Sequence, residues 1–244
     1  MNAEEISAKL VDWLRQEVGA AGRRGLVFGL SGGVDSSTVA VLARRAFRDH
    51  HLGLVMPIHS DPRDREDALL LVEKFHLRHV EVRLDPVFDA FMATLGESAA
   101  DDVQSLPVNN IKPRLRMTAL YHFAGKNRYL VLGTGNRTEL TLGYFTKYGD
   151  GGADLLPLGH LVKHEVRELA RHLGVPDSII EKPASAGMWR GQTDEGEIGF
   201  SYDELDGYLV GGEGSEALAA RVEELRRTNA HKLRIPRLPP ASIS

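Results

Sequence analysis

The chain lacks several features that would point to particular classes of protein. It contains no cysteine, which excludes disulfides, thiolate metal sites and catalysis through a cysteine nucleophile. No apolar run approaches the length of a membrane span, and residues 1–25 form a charged amphipathic stretch without the apolar core of a signal peptide. A strong excess of charge is also missing, since 30 Lys and Arg against 34 Asp and Glu give a net charge of -4. We therefore expect a cytoplasmic protein that binds neither nucleic acid nor a membrane.

The order of apolar and polar segments indicates an α/β protein. Short apolar runs at 26–30, 52–58, 79–84 and 129–134 alternate with segments of helical periodicity. This alternation favours a doubly wound, mostly parallel sheet with helices on both faces. A further extended run at 155–159 brings the predicted number of strands to five. The length of 244 residues fits one domain covering residues 1–244.

The strongest local pattern lies at 26–37, where an apolar run ends in Ser-Gly-Gly and continues into helix-forming residues. Glycine N–H groups can turn toward a phosphate, and serine hydroxyls and the first turn of the helix add further donors. The lysine of kinase-type phosphate loops is missing, and Asp35 ends the loop instead, which favours a divalent cation beside the phosphates. The alternative needs no ligand: Ser-Gly-Gly is an ordinary turn, and Asp35 or Ser36 caps the helix.

A second loop is predicted to lie beside the first. Ligands of open α/β sheets bind at the carboxyl ends of the strands, where the loop after strand 129–134 is also found. Glu139, one turn into the next helix, would there share a cation with Asp35. The alternative is that Glu139 caps its own helix or lies on the surface. Lys163 begins a predicted helix over 163–173 and by itself reads as a surface residue.

Three further segments each allow two interpretations. The start of the helix within 109–118 carries several cations, which either bind phosphates or carboxylates or form a solvated face. Segment 143–152 combines aromatic residues and glycines, which suits a planar ring against the backbone or a small satellite core. Its Asp150 is a ligand contact or an Asx turn. Segment 183–196 is long, polar and rich in glycine, which is typical of a lid or of a disordered loop, and we predict a mobile lid.

Taken together, these segments resemble the ammonia-dependent NAD synthetases, a family of N-type ATP pyrophosphatases. The motifs are S-G-G-V-D-S-S, N-I-K-x-R-x-R-M, G-T-G-N-R-T-E, G-Y-F-T-K-Y-G-D-G and G-Q-T-D-E-G-E-I-G, and the resemblance extends to His231-Lys232. The phosphate loop is shared with GMP synthetases, asparagine synthetases and tRNA-thiolating enzymes, whereas the stretches at 143–151 and 192–199 are more specific. The resemblance implies a Rossmann-like fold of the adenine nucleotide α-hydrolase type. It also implies a ligase: deamido-NAD and ATP give an adenylate and pyrophosphate, and ammonia then gives NAD and AMP.

The resemblance further implies roles for individual residues. Catalysis is expected from Asp35, Glu139 and Lys163, with Mg²⁺ held by Asp35 and Glu139. The expected ATP site comprises Ser31, Gly32, Gly33, Val34, Ser36, Ser37, Thr134, Lys163 and Ser185. The expected deamido-NAD site comprises Asn110, Arg114, Asp150, Glu197, His231 and Lys232. The resemblance also implies a lid at 183–196, a C-terminal tail at 229–244 that closes over the dinucleotide, and a homodimer.

Two other functions remain compatible with the residues. The chain could be another amidating or adenylating enzyme with the same phosphate loop, or a nucleotide sensor without turnover. The presence of Asp35, Glu139 and Lys163 together favours an enzyme, because a sensor can bind adenine without a cation site. We recognise no nitrilase-like glutaminase domain and therefore expect free ammonia, not glutamine, as the direct nitrogen source.

Overall fold

The computed structural model describes residues 2–97, 104–189 and 191–239. Strands alternate with helices up to residue 132, and helices and loops follow. The elements are α1 (Ala3–Ala20), β1 (Gly25–Gly29), α2 (Val34–Ala46), β2 (His51–Val55), α3 (Pro62–Phe75), β3 (His79–Glu81), α4 (Asp85–Leu95), α5 (Leu106–Asn109), α6 (Ile111–Asn127), β4 (Tyr129–Leu132), α7 (Arg137–Leu142), α8 (Lys163–Leu173), α9 (Asp177–Ile180), α10 (Asp194–Ile198), α11 (Tyr202–Gly211), α12 (Glu216–Asn229) and a 3₁₀ helix (Ala230–Leu233). Arg190 of the predicted lid and residues 240–244 of the predicted tail lie outside the described residues.

The sheet is parallel throughout, with the strand order β3-β2-β1-β4. The predicted α/β class is confirmed, but the described residues form four strands and not five. Leu155 contributes a single parallel bridge to Leu132. Pro157, which has no N–H to donate, follows, and the Gly159 N–H closes a turn onto the Leu156 carbonyl at 3.1 Å. The chain therefore leaves the sheet before a fifth strand can form.

Helices cover both faces of this sheet. Leu26 and Phe28 of β1 pack into a core with α1, α2 and α8, whereas Val27 points to the opposite core, which contains residues of α4 and α6. This alternation is the two-residue period of a strand buried on both sides. A third, smaller core joins α7, α10, α11 and α12. Within the described ranges, no helix has the length and apolar character needed to cross a bilayer.

His51, the first residue of β2, is a buried histidine held in its neutral form. Its ring is bonded at Nδ1 to the Phe47 carbonyl at 2.9 Å, and its Nε2 accepts the Arg78 N–H at 3.0 Å. Only Nδ1 therefore carries the proton in this arrangement. Burial lowers the pKa of His51 below its usual value of 6.5.

This pKa shift predicts an acid-dependent loss of stability. The unfolded chain binds a proton at His51 more readily than the folded chain. The contribution of neutral His51 to the free energy of unfolding is therefore complete above pH 6.5 and falls at lower pH. We expect the loss to reach at most about 1.4 kcal/mol per pH unit. Urea unfolding of wild type and His51→Gln at several pH values measures the difference in slope. The exposed His160→Gln should keep the wild-type slope, and an unchanged slope in His51→Gln would contradict the prediction.

Candidate active site

The phosphate loop has the predicted strand, loop and helix structure. It connects β1 to α2, and Gly33 is the N-cap of α2. Among the described side chains none caps this helix end, so its first N–H groups are left for a ligand. The hydroxyls of Ser36 and Ser37 donate to the Gly33 carbonyl at 3.0 and 2.7 Å, and the Ser31 and Ser36 hydroxyls lie 2.9 Å apart. These bonds hold the serine hydroxyls against the backbone of the loop.

Helix α3 supports the loop from behind. Gly32 has a φ of +79°, and a Cβ atom there would lie 2.3 Å from the Asp64 carbonyl oxygen. Asp64 and Asp67 of the same helix both accept from the Lys182 ammonium at 2.7 Å. Lys182 immediately precedes segment 183–196. Helix α3 thus connects the back of the phosphate loop to the start of the predicted lid.

The structure brings the three predicted catalytic side chains together. The Lys163 ammonium lies 2.5 Å from Asp35 Oδ2 and 3.2 Å from Glu139 Oε1. Lys163 is only 1% exposed, which excludes the reading of a surface lysine. Each residue lies in the first turn of a different helix, namely α2, α7 and α8. Three separate motifs therefore meet at one point beside the phosphate loop.

Asn136 fixes the two carboxylates relative to each other. Its side-chain oxygen accepts the Glu139 N–H at 3.0 Å, and its amide nitrogen donates to Asp35 Oδ1 at 3.0 Å. Glu139 Oε2 accepts the Asn136 N–H at 3.1 Å, which completes a capping box. One Glu139 oxygen therefore caps α7, as the capping alternative predicted, and the other faces Lys163; the metal cation shared with Asp35 stays a prediction.

Electrostatics in this cluster favour a further cation. Burial opposes the charge of Lys163, but Asp35 and Glu139 outweigh it and raise the pKa of the ammonium. Burial raises the pKa of Glu139, and it also raises that of Asp194, a third carboxylate nearby. Three carboxylates thus surround one ammonium. An added cation at this point would relieve their mutual repulsion.

Sequence reasoning missed the hydrogen-bonded network that extends from this cluster. Asp194 accepts from the Tyr202 hydroxyl at 3.0 Å and from the Tyr144 hydroxyl at 3.3 Å. Tyr144 also bonds to Glu197, which accepts from Gln192 Nε2 at 2.8 Å. The two specific motifs, at 143–151 and 192–199, contain most of these residues. That signal was visible in the sequence, but of this network only Glu197 was singled out.

Four of the residues predicted to bind deamido-NAD gather around loop 143–152. Asn110 Oδ1 accepts from the Thr146 hydroxyl at 2.6 Å, and Asp150 Oδ1 accepts from the Thr146 N–H at 2.9 Å. The Arg114 guanidinium contacts the Lys147 carbonyl at 3.4 Å, and Lys232 donates to the carbonyls of Gly143 and Phe145 at 2.8 and 2.9 Å. Asp150 therefore makes a local contact within the loop, but with the N–H four residues before it, which is not the bond of an Asx turn.

The remaining predicted residues are placed differently, and of these Glu197 contacts the loop through Tyr144. Glu197 belongs to the network around Asp194, and His231 is exposed on the 3₁₀ helix. Thr134 follows β4 and is half-buried, whereas Val34 is buried at the start of α2. Ser185 is exposed, and its hydroxyl accepts the Gly187 N–H at 3.0 Å.

The cations of α6 are not a uniform solvated face. Arg114 is exposed, but Lys112 is buried and bonds to the Met188 carbonyl in the predicted lid. Arg116 donates to the Met56 carbonyl at 3.0 Å and to the Ser60 hydroxyl at 3.2 Å. Helix α6 therefore contacts both the loop after β2 and the lid segment.

Comparison with known proteins identifies the family. The family model described as NAD synthase matches residues 6–236. The chain belongs to the NAD synthase family. The NH(3)-dependent NAD(+) synthetases of Carboxydothermus hydrogenoformans and Finegoldia magna are 51% and 49% identical to this family member. The alignments cover 98% of both chains in the first case and 86% of both in the second.

Solved structures agree with this assignment. The NMN synthetase of Francisella tularensis is 37% identical with a TM-score of 0.93, over 98% of this chain and 99% of that one. The NH3-dependent NAD synthetase of Campylobacter jejuni, in complex with the nitrate ion, is 30% identical with a TM-score of 0.80, over 98% and 100%. The family, the α/β fold and the type of enzyme, a ligase that forms a C–N bond, were predicted from the sequence and are confirmed.

Proposed function

We propose that this NAD synthase family member amidates deamido-NAD with ammonia and ATP, and that Asp35, Glu139 and Lys163 form its reacting centre. The observation that supports these roles is the position of two carboxylates, Asp35 and Glu139, within 3.2 Å of the Lys163 ammonium nitrogen, beside the N-terminus of α2. Such an arrangement combines phosphate donors, a buried cation and paired carboxylates, which are the groups that adenylation requires.

The reaction has two steps. The carboxylate of the nicotinate ring attacks the α-phosphorus of ATP, the bond to the bridging oxygen of the pyrophosphate breaks, and an adenylate forms. Ammonia then attacks the activated carbonyl carbon, AMP leaves, and a proton is lost to give the amide. Lys163 would stabilise the charge that develops on the phosphates, and the phosphate loop would hold the pyrophosphate. Ammonia is already a nucleophile, so we assign no protein general base.

Mg²⁺ fits the residues of this centre. Carboxylate oxygens are the ligands that Mg²⁺ prefers, and those of Asp35 and Glu139 lie together around the Lys163 ammonium, beside which the ion would bind. Among the described residues no group of three or more His, Asp or Glu side chains is placed to hold a metal. Phosphate oxygens and water would therefore supply the remaining ligands. When bound, the ion would neutralise phosphate charge and make pyrophosphate a better leaving group.

Segment 183–196 is the proposed lid. Its Met188 N–H donates to Gln192 Oε1 at 2.8 Å, and its Met188 carbonyl accepts from Lys112. These contacts tie the segment to α6 and to the network around Glu197. Closure over bound nucleotides would exclude water and protect the adenylate from hydrolysis. The homodimer and the dinucleotide contacts of His231 stay predictions.

A second candidate substrate follows from the structural comparison. A solved structure with the high TM-score of 0.93 is that of the NMN synthetase from Francisella tularensis. The same chemistry would then act on a mononucleotide acid, the precursor that becomes NMN when its carboxylate is amidated. The phosphate loop and Lys163 would serve both substrates equally, since both require the same activation of a nicotinate carboxylate by ATP.

One experiment tests the proposed function against its alternatives. The purified chain is mixed with ATP, Mg²⁺ and either deamido-NAD or the mononucleotide acid, with ammonium or glutamine, and the products are separated by chromatography. We expect NAD and AMP with deamido-NAD and ammonium, and little product with glutamine. A higher kcat/KM for the mononucleotide acid would favour the second candidate. AMP without either amide would indicate another acceptor, and ATP binding without AMP would indicate a sensor.

A further inference from the structure

Tyr202 lies directly beneath the reacting centre. It is the first residue of α11 and is 1% exposed, and its N–H donates to Glu195 Oε1 at 2.8 Å. The Lys163 ammonium lies 4.7 Å from the centroid of its ring. Its hydroxyl lies 3.0 Å from Asp194 Oδ2 and 3.4 Å from Glu139 Oε1. One side chain thus contacts the cation and two of the carboxylates.

We infer that Tyr202 is a positioning residue for the amidation: its ring holds Lys163, and its hydroxyl, which lies between Asp194 and Glu139, holds Asp194 in place. This inference rests on the proposed function, because it assigns Tyr202 a role through residues of the proposed centre.

The ring supplies an attraction that does not depend on the carboxylates. An ammonium over an aromatic face within about 6 Å is attracted by the ring quadrupole, and most strongly where water is excluded. The two hydrogen-bonded partners of Lys163, Asp35 and Glu139, are also the proposed ligands of a metal ion. If they turn toward that ion, the face of Tyr202 still restricts the ammonium. The capping box of Ser201 and Glu204 fixes the start of α11 and hence the ring.

The hydroxyl separates two buried carboxylates. A phenol carries one proton, and the shorter contact shows that it is donated to Asp194. The Tyr144 hydroxyl also lies 3.3 Å from Asp194 Oδ1, but its shorter contact is with Glu197, so Tyr202 is the phenol that donates to Asp194. Burial raises the pKa of Asp194, whereas the Lys163 charge and the Tyr202 hydrogen bond oppose that effect. Without the hydroxyl, Asp194 would lose this donor and stay buried beside Glu139.

Two substitutions separate the ring from the hydroxyl. Tyr202→Phe keeps the ring, and we expect kcat to fall about 10-fold with the KM for ATP within about twofold, since one charge-assisted hydrogen bond is lost. Tyr202→Leu also removes the ring, and we expect kcat to fall about 100-fold. Tyr208→Phe, on the same helix and in the third core, is the matched control and should resemble wild type.

A readout independent of turnover tests the contact itself. Lysine acylation followed by mass spectrometry should show Lys163 protected in wild type and Tyr202→Phe, but at least about tenfold more reactive in Tyr202→Leu. The exposed Lys74 serves as the internal standard for a fully accessible lysine. In a Lys163→Met background, Tyr202→Leu should change kcat less than about twofold relative to Tyr202→Phe, because the ring then has no cation to hold.

Three results would overturn the inference: unchanged kcat in both variants, equal protection of Lys163 in Tyr202→Leu, or an undiminished ring effect in the Lys163→Met background. A fall in Tm together with equal labelling of Lys163 and Lys74 would show a merely structural role and count against it. Failure of wild type to amidate deamido-NAD would instead contradict the proposed function, and the labelling experiment would still decide the role of Tyr202.

Discussion

Replacing Lys163 with methionine is expected to lower kcat for NAD formation at least about a thousandfold, because the centre loses its only protein cation within hydrogen-bonding distance of Asp35 and Glu139 among the described residues. Removing one partner of a buried ion pair also leaves its carboxylates uncompensated. We expect a loss of about 3 kcal/mol in the free energy of unfolding. Product analysis gives the first quantity, and urea unfolding gives the second.

Lys74→Met is the control for this substitution. Lys74 lies in the last turn of α3 and is exposed, so its loss should leave kcat and stability close to wild type. A Lys163→Met variant that retains a tenth of the wild-type kcat would refute the catalytic role of Lys163. A variant that loses stability but not activity would reduce Lys163 to a structural ion pair.

Substituting Gly32 with alanine is expected to abolish ATP binding and to destabilise the fold. The φ of +79° is strained for any residue with a Cβ atom, and this atom would lie 2.3 Å from the Asp64 carbonyl oxygen. Because that contact is with backbone, the loop and α3 must separate. We expect the free energy of unfolding to fall by at least about 3 kcal/mol. Isothermal titration with ATP and chemical unfolding measure both effects.

Gly33 provides a neighbouring glycine for comparison. Its φ is -92°, and a Cβ atom there would meet Ser31 Oγ at an ordinary 3.6 Å. Gly33→Ala should therefore change the free energy of unfolding by less than about 1 kcal/mol. If Gly32→Ala and Gly33→Ala were equally stable, the close packing of the loop on α3 would not contribute to the free energy of unfolding.

Local patterns predicted the parts of the site that depend on neighbouring residues in the chain. The phosphate loop was recognisable because strand, glycines and helix start lie within 26–37. The helix over 163–173 has the predicted bounds. Glu139 was placed correctly because the carboxyl ends of parallel strands share one edge.

Residues whose role depends on tertiary packing escaped that reasoning. Tyr202 reads as one member of an S-x-x-E capping box, and nothing local shows that its ring lies under Lys163. In the sequence, Lys182 is only a charged residue before a proline. In the structure its ammonium bonds to the carboxylates of Asp64 and Asp67 in α3. The predicted fifth strand failed for a local reason that was visible in advance, since Pro157 cannot complete a ladder.

The contact between Asp35 and Lys163 joins residues 128 positions apart in the chain. Closing a loop of that length costs entropy, which the packing of α8 with α1 and α2 in the first core offsets. A chain with a formed sheet but an undocked α8 would have the phosphate loop without its cation. Catalytic activity therefore reports that α8 is docked, which formation of the sheet alone does not ensure.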